Sequence, residues 1–231
     1  MAGQRKSWPG EAWQGTASRG MALGSNPELF NKKDIMKNIE FKIIGKTAFL
    51  FNKFNIENVS NKSKVKSGSA GNDPEEWKLK CIAEGKNLYL PGYYIFSCLS
   101  EGGNYVKEGR GSIKKKLMGC LLINTPKFYL NYELPKDIDE IETEDLSKDS
   151  SQKIYLDVRA VKNPMTKGKN VRYRLAMCPG WSTNVIAEWD DTIISKENMK
   201  QVIESAGKFV GVGDARLLGY GRFTCEDVKI S

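Results

Sequence analysis

The 231-residue sequence predicts an α+β fold: an antiparallel sheet with two or three helices. Apolar residues alternate with polar ones in several short segments, as they do in half-buried strands. Segments with helix-start signals are interleaved among those strands, and no internal repeat is visible. Because strands dominate and helices separate only some of them, an antiparallel α+β domain is favoured.

Two regions differ in composition from the patterned part of the chain. Residues 1–35 mix Gly, Pro, Ser and Trp without a period, and we interpret them as a disordered or extraneous N-terminal extension. Residues 36–231 are expected to form a single domain with loop insertions at 55–76 and 131–152. The first insertion is polar and rich in Asn, Ser and Gly, and the second is strongly acidic.

The N-terminal half of the domain is predicted to contain three strands and one helix. The first strand covers residues 39–51, and Gly45 interrupts its alternation as a bulge or bend. Two short strands are predicted within 77–90. Pro91 then takes the first position of a helix, where proline is favoured, and this helix is expected to stop at Gly102.

The C-terminal half is predicted to contain the other elements of the sheet. These are a basic helix at 112–120, a strand at 121–130, a hairpin at 154–177, a strand at 182–189, a helix at 195–207 and a final strand at 222–230. Ser195 is a plausible N-cap because its hydroxyl can accept a hydrogen bond from a first-turn N–H.

The hairpin at 154–177 is predicted to have one apolar and one basic face. Its apolar face would carry Ile154, Leu156, Val158, Ala160, Val171, Tyr173, Leu175 and Met177. Its opposite face would carry Arg159, Lys162, Arg172 and Arg174. Such a face fits either a grip on a polyanion or an ordinary solvated surface.

The composition excludes several classes of catalytic site from this chain. It contains no histidine, which rules out Ser-His-Asp and Cys-His catalysis, imidazole general bases and His-ligated metals. The five cysteines are odd in number, widely spaced and without a CxxC pair, which indicates reduced thiols in a cytoplasmic protein. No cofactor or metal is expected.

The charge favours a polyanionic partner. Lys and Arg outnumber Asp and Glu by 36 to 28, giving a net charge of +8. Seven of the acids lie within 137–149, so the basic excess is concentrated elsewhere. No apolar run approaches the roughly 18 residues of a membrane span, and no signal peptide is visible. A soluble cytoplasmic protein with no membrane partner is therefore expected.

The segment GVGDARLLGYGRF (211–223) contains two Gly-apolar-Gly steps: Gly211 and Gly213, then Gly219 and Gly221. A dinucleotide fingerprint would place G-x-G-x-x-G between a strand and a following helix. Here the order is reversed, since the glycines follow a helix and precede a strand. Two interpretations stay open: a compact helix-to-strand turn, or a turn whose N–H groups lie against a sugar-phosphate backbone.

Two motifs resemble those of a known family. The two glycine steps, separated by five residues in the last helix-to-strand connection, resemble the C-terminal signature of the RAMP superfamily of CRISPR-associated RNA-binding proteins. The stretch LPGYYIFSCL (90–99) resembles the strand-to-helix segment of that family's backbone subunits. Tyr93 and Tyr94 replace the family's small residues, and Glu101 lies near its basic position.

The resemblance implies a modified ferredoxin-like or RRM-type core with an extended β-hairpin. It also implies protomers that line up along a nucleic-acid strand. The expected function is non-catalytic binding of single-stranded RNA or DNA by a repeated backbone subunit of a CRISPR-type ribonucleoprotein. Expected partners are single-stranded nucleic acid, further copies of the chain or other effector subunits.

Candidate site residues are those whose charge, aromaticity or backbone suits phosphate and base contacts. The cationic candidates are Arg110, Lys114, Lys115, Lys116, Arg159, Arg172, Arg174, Arg216 and Arg222, with Lys62, Lys64 and Lys66 as additions in the polar loop. Candidate stacking residues are Tyr93, Tyr94 and Tyr220, and the glycine positions are Gly211, Gly213, Gly219 and Gly221.

Other functions remain open from the sequence. One is a single-stranded-DNA-binding protein of a phage or mobile element with the same fold. Another is a metal-independent endoribonuclease, for which Asp214 is the acid placed most suggestively, although an Asp satisfying turn N–H groups has the same pattern. A third is an assembly subunit whose charges serve protein contacts.

Overall fold

The computed structural model describes residues 36–54, 74–138, 141, 143, 153–162 and 168–231. The predicted extension at 1–35 lies outside these residues. So do almost all of the polar loop at 55–76, most of the acidic stretch and most of the hairpin turn.

Four α-helices occur in the described part of the chain. They are α1 (Glu76–Lys80), α2 (Gly92–Gly102), α3 (Lys114–Cys120) and α4 (Lys196–Ser205). The twelve strands described are β1 (Met36–Gly45), β2 (Phe49–Leu50), β3 (Ala83–Glu84), β4 (Asn87–Pro91), β5 (Lys107–Glu108), β6 (Gly111–Ser112), β7 (Leu121–Leu122), β8 (Lys127–Glu133), β9 (Ile154–Lys162), β10 (Lys169–Met177), β11 (Ser182–Asp190) and β12 (Phe223–Ile230).

The central sheet has the strand order β12, β1, β11, β7, and every neighbouring pair is antiparallel. Taken as four strands in chain order, the fourth, first, third and second lie side by side. A connection that includes α2 and α3 joins the first to the second, and α4 joins the third to the fourth. These are two split β-α-β units. The predicted antiparallel α+β class and its ferredoxin-like core are confirmed.

Strand β1 shows why the alternation in the sequence was informative. Ile39, Phe41 and Ile43 are buried, and in register they face Ala187, Val185 and Thr183 of β11. The neighbouring pairing with β12 slips between Glu40 and Lys42. This register shift lies inside β1, in addition to the bend directly after Gly45, where the sequence predicted a bulge or bend.

The prediction of one strand over 39–51 is wrong at its C-terminal half, because the chain changes sheets after Gly45. A Cβ at this glycine would lie 2.1 Å from the indole of Trp181, so only glycine fits. The same indole donates from Nε1 to the carbonyl of Thr47 at 2.9 Å. Beyond it, β2 joins a second sheet in the order β2, β10, β9.

The predicted hairpin forms the rest of that second sheet. Ile154 faces Met177 and Leu156 faces Leu175 in an antiparallel register, as the alternation predicted. One residue differs: Lys162 pairs with Lys169 and by the two-residue period lies on the same face as Ile154, not on the arginine face.

A third sheet has the order β3, β4, β8. Its hairpin was predicted, but residues 76–80 form the short helix α1 and not a strand. Trp77 and Cys81 are spaced four apart, the Cys81 N–H donates to the Trp77 carbonyl at 3.0 Å, and both side chains contact the core. Strand β8 extends to Glu133, three residues into the region predicted as the second loop insertion.

Helices α2 and α4 pack against each other beside the central sheet. Helix α2 ends at Gly102, as predicted, but Pro91 is not its first residue: it is the N-cap, in extended conformation, and the last residue of β4. A Cβ at Gly102 would lie 2.8 Å from the Ala206 Cβ and the Val202 carbonyl, so this glycine permits close approach. Ser195 caps α4 by accepting from the Asn198 N–H at 3.2 Å. A π-helical turn, Ala206–Val210, then continues from α4 into the glycine segment.

Candidate nucleic-acid interface

Residues 211–222, here called the glycine loop, connect the π-helical turn to β12. All four candidate glycines have positive φ: 78° at Gly211, 84° at Gly213, 89° at Gly219 and 68° at Gly221. A Cβ at Gly221 would lie 1.8 Å from the Val212 carbonyl oxygen, whereas one at Gly219 would meet nothing within 4 Å. Positive φ favours glycine at all four positions, and close packing adds a further constraint at Gly211, Gly213 and Gly221 but not at Gly219.

Most N–H groups of the glycine loop are used inside the protein. Val212 donates to Gly221 at 2.9 Å, Asp214 to Leu50 at 3.0 Å and Gly221 to Ala48 at 2.8 Å. The N–H of Arg222 donates to the Thr47 hydroxyl at 2.9 Å. The loop is therefore a compact structural turn that is hydrogen-bonded to the segment around β2. Ligand contacts from it would have to come chiefly from its side chains.

Asp214 connects the glycine loop to the hairpin through an ion pair. Its Oδ2 lies 3.2 Å from Nε of Arg174 on β10 and accepts a hydrogen bond from Asn52 Nδ2 at 3.2 Å. The Arg174 side chain is only 14% exposed. The carboxylate is thus engaged by side chains of β10 and of the segment after β2, and not by the turn N–H groups that the sequence suggested as its partners.

Two clefts lie between α2 and the glycine loop and share Arg216 in their linings; together they are called the groove here. Tyr93, Ser97 and Glu101 are spaced four apart on α2, so one helix face turns toward the groove. The first cleft has a volume of about 200 Å³ and is lined by Asn52, Tyr93, Tyr94, Ser97, Val212, Gly213, Asp214 and Arg216. The second has a volume of about 290 Å³ and is lined by Glu101, Asn104, Tyr105, Phe209, Val210, Arg216, Leu217 and Arg222.

Arg216 lines both clefts, and Arg222 lines the second. Within the described residues neither guanidinium forms an ion pair with a carboxylate. Arg222 is held by a hydrogen bond from Nη2 to the Arg216 carbonyl at 3.4 Å. Neither charge is therefore neutralised by a carboxylate from the described part of the chain, and Nη1 of Arg222 is buried without a hydrogen-bond partner.

The hairpin arginines lie beside the glycine loop but are largely occupied. Arg159 Nε lies 2.6 Å from Oδ1 of the buried Asp157, and its guanidinium stacks 5.0 Å from the ring centre of Tyr220. Arg174 is paired with Asp214. Arg172 faces Arg159 across the hairpin and is partly buried. Of the candidate cations on this face, Arg159 and Arg174 therefore already have carboxylate partners in the protein.

The basic candidates near α3 fall into two kinds. Lys114 Nζ lies 2.5 Å from Glu101 and Lys116 Nζ lies 2.9 Å from Glu108, so both are ion-paired. Arg110 and Lys115 are exposed. Of these four residues, only Lys114 forms an ion pair with a residue that lines the groove, Glu101. The three lysines of the polar loop lie outside the described residues.

The candidate stacking tyrosines have different environments. Tyr93 is 62% exposed at the first cleft. Tyr94 is partly buried, donates from its hydroxyl to the Asn52 carbonyl at 3.1 Å, and has its pKa raised by that burial. The ring of Tyr220 is covered by the Arg159 guanidinium. Of the three candidate tyrosines, Tyr93 is therefore the one whose ring is accessible to a base.

Sequence reasoning missed an aromatic pair in the second cleft. Tyr105 and Phe209 stack with ring centres 4.8 Å apart and an interplanar angle of 28°. Both rings are about half exposed. They lie 104 positions apart in the sequence, and no local pattern connects them. Their one advance signal in the sequence was that Phe209 lies two residues before the glycine loop.

Burial makes the thiols poor nucleophiles. It raises the pKa of Cys98 to about 12 and that of Cys225 to about 12, and all five cysteines are free of disulfides.

Among the described residues, no group of three or more Cys, Asp or Glu side chains is arranged to hold a metal ion. Nor does any described helix have the length and apolarity needed to cross a membrane.

Comparison of the sequence with protein-family models and with curated proteins finds no match. Comparison of the fold with solved structures finds similar chains. One belongs to a cryo-EM structure of the type III-B Cmr-beta bound to cognate target RNA, with 13% identity, a TM-score of 0.46 and coverage of 84% of this chain and 60% of that one. Another is the crystal structure of Cmr6 from Pyrococcus furiosus, with 10% identity, a TM-score of 0.42 and coverage of 84% and 99%.

Proposed function

We propose that this chain binds single-stranded nucleic acid, preferentially RNA, through the sugar-phosphate backbone and without cleaving it. The binding site is the groove between α2 and the glycine loop. In this proposal the chain is a repeated backbone subunit of a CRISPR-type ribonucleoprotein. Its partners are the RNA strand and either further copies of itself or other effector subunits.

The observation that carries the proposal is the pair of guanidinium groups in the groove. Arg216 and Arg222 line it without a carboxylate partner among the described residues. Cations that neutralise phosphates release condensed counterions, and this release provides most of the sequence-independent affinity for nucleic acid. By contrast, Arg159 and Arg174 already have carboxylate partners and would contribute less.

The exposed aromatic rings provide the second component of single-strand binding. Tyr93 lies at one cleft of the groove, and the Tyr105–Phe209 pair lies at the other. Bases of an unpaired strand can stack on such rings, at about 1–3 kcal/mol per base. A double helix keeps its bases stacked internally, so this arrangement favours a single strand.

Binding without cleavage fits the chemistry of the groove. Asp214 is engaged by Arg174 and Asn52, so its carboxylate serves the fold. Burial raises the pKa of Tyr94, so its hydroxyl stays protonated at neutral pH and is not available as a general base. A nucleic-acid strand bound here would contact mainly hydrogen-bond donors and aromatic rings, as expected of a surface that binds RNA without cleaving it.

The proposed assembly role is supported by the architecture and by the two sequence motifs. The hairpin of β9 and β10 forms a second sheet with β2, separate from the ferredoxin-like sheet, and the resemblance implies such a hairpin. Arg174 of the hairpin contacts Asp214, which lines the groove. A strand following the groove would pass the base of the hairpin.

The proposal is tested by fluorescence anisotropy with a labelled 20-nucleotide RNA of mixed sequence and its DNA equivalent over a range of salt concentrations. We expect salt-sensitive binding and intact strands after incubation. Arg216→Gln is expected to weaken binding of every sequence alike and to reduce the slope of log affinity against log salt by about one.

Lys229→Gln is the matched control. Lys229 is exposed near the end of β12, about 20 Å along the strand from Arg222 at roughly 3.3 Å per residue. The control should bind as the wild type does. Failure to retain RNA at low salt, or equal loss in both variants, would overturn the proposal. Tighter binding of DNA than RNA would indicate the mobile-element alternative, and shortened RNA would indicate a nuclease.

A further inference from the structure

The Arg216 side chain lines both clefts, but the backbone that carries it has little packing of its own. Arg216–Leu218 form a single 3₁₀ turn in which no residue is buried. The next two side chains, Leu217 and Leu218, are 101% and 73% exposed. Because burial of side chains does not hold this turn in place, its position in the groove depends on its hydrogen bonds.

The turn also has a left-handed residue on each side. Ala215 has a φ of 53° and Gly219 a φ of 89°. A left-handed conformation is unfavourable for alanine, because its Cβ approaches the following carbonyl oxygen. Such a conformation persists where the surrounding structure holds it. The turn that carries Arg216 therefore needs restraint from outside itself.

The restraints meet at the carbonyl oxygen of Arg216. This oxygen accepts a hydrogen bond from the Gly219 N–H at 3.0 Å, which closes the turn. It also accepts one from Nη2 of Arg222 at 3.4 Å. Gly219 and Arg222 thus fix the turn from its C-terminal side.

The hydroxyl of Thr47 holds both of these residues. It donates to the Gly219 carbonyl at 2.8 Å and accepts from the Arg222 N–H at 2.9 Å. One oxygen atom therefore uses its donor and its acceptor capacity on the two residues that fix the Arg216 carbonyl. Valine has nearly the same shape as threonine but can form neither hydrogen bond.

Thr47 is itself anchored in the fold. Its carbonyl accepts from the indole Nε1 of Trp181 at 2.9 Å, and Trp181 is fully buried. Its N–H and that of Lys46 both donate to the Arg222 carbonyl, at 3.3 and 2.7 Å. The hydroxyl is therefore presented to the glycine loop from a well-supported backbone.

We infer that Thr47 is a positioning residue for nucleic-acid binding, because its hydroxyl holds in place the turn that carries Arg216. This inference rests on the proposed function, in which Arg216 contacts a phosphate of the strand. Thr47 lines neither cleft. It acts through Gly219 and Arg222, not by contact with the ligand.

The test compares variants of the full chain in anisotropy titrations with the labelled 20-nucleotide RNA over a range of salt concentrations. Thr47→Val removes the hydroxyl and keeps the shape of the side chain. It should weaken binding about fivefold and lower the slope of log affinity against log salt by about one, as loss of the Arg216 phosphate contact does. Thr47→Ser keeps the hydroxyl and should bind within about twofold of the wild type.

Two further variants distinguish positioning from a general effect on the fold. Thr183→Val is the matched control, because Thr183 is buried in β11 opposite Ile43 and lines neither cleft. It should keep the affinity and the salt slope of the wild type even where it lowers the melting temperature. Thr47→Ala removes the hydroxyl without placing a methyl group beside the glycine loop, and it should bind RNA as Thr47→Val does.

A double variant tests whether Thr47 acts through Arg216. Thr47→Val combined with Arg216→Gln should bind RNA no more weakly than Arg216→Gln alone, because both changes remove the same phosphate contact. Melting curves of every variant verify that the fold is kept.

The outcomes separate the inference from the proposed function. Wild-type affinity and salt slope in both Thr47→Val and Thr47→Ala would overturn the positioning role and leave the proposed function intact. An additive loss in the double variant, or an equal loss in Thr183→Val, would also overturn it. If the wild type does not retain RNA at low salt, or if Arg216→Gln has no effect, the proposed function itself fails.

Discussion

Arg174 on β10 and Asp214 in the glycine loop are joined across the molecule, with Nε and Oδ2 3.2 Å apart. The two residues are 40 positions apart in the sequence and belong to the hairpin and the groove respectively. Because the Arg174 side chain is 14% exposed and that of Asp214 28% exposed, this pair is less screened than a surface ion pair. It couples the orientation of the hairpin to the path of the glycine loop.

The first prediction concerns this coupling. Arg174→Ala and Asp214→Ala should each lower the free energy of unfolding by about 1–2 kcal/mol, since each leaves a partly buried charge without its partner. The double variant should lose less than the sum, with a coupling energy of about 1 kcal/mol. Urea denaturation of the four proteins measures the cycle. Additive losses would show that the pair does not interact in solution.

The second prediction compares two glycines of the loop. Gly221→Ala should lower the free energy of unfolding by about 3 kcal/mol, because positive φ is costly for alanine and its Cβ would lie 1.8 Å from the Val212 carbonyl oxygen. Gly219→Ala meets only the conformational cost, about 1 kcal/mol, since nothing lies within 4 Å of its Cβ. Thermal unfolding distinguishes them. Equal losses would contradict the packing argument.

The fold was largely predictable because its strands alternate strictly. Ile39, Phe41 and Ile43 mark the buried face of β1, and Ser195 marks the start of α4. The errors occurred where distant residues decide the structure. The chain changes sheets after Gly45 because the indole of Trp181 lies against it, and the two are 136 positions apart. Local sequence contains no record of that contact.

The candidate site was predictable only in part, because a charged residue in a sequence does not show which residue it pairs with in the fold. Arg216 and Arg159 are equivalent in a sequence, yet Arg216 lines the groove while Arg159 is paired with Asp157. The stacked Tyr105 and Phe209 come from separate elements. The pairing of a side chain depends on tertiary packing, which neither periodicity nor composition encodes.

The third prediction separates the two adjacent tyrosines of α2. Tyr93→Ala should weaken RNA binding about tenfold with little change in thermal stability, because its ring is 62% exposed at the groove. Tyr94→Phe removes the hydrogen bond to the Asn52 carbonyl and should cost about 1 kcal/mol of stability without changing affinity. Anisotropy titrations and melting curves measure both. The reverse pattern would place the stacking role on Tyr94.

The last prediction concerns Cys98 and alkaline pH. Burial raises the pKa of this thiol from 9.0 to about 12 in the folded protein, so the unfolded chain releases its proton first as pH rises. The stabilising contribution is therefore fully present below about pH 9 and is lost progressively toward pH 12.

Cys98→Ala removes this linkage. Between pH 8 and pH 10.5 the wild type should lose about 2 kcal/mol more unfolding free energy than the variant does, at about 1.4 kcal/mol per pH unit above the unfolded pKa. Other titrating groups affect both proteins equally and cancel in the difference. Cys120→Ala provides a comparison, because burial raises the pKa of that thiol too. Parallel pH profiles for wild type and Cys98→Ala would show that the thiol ionises equally easily in the folded and unfolded chain.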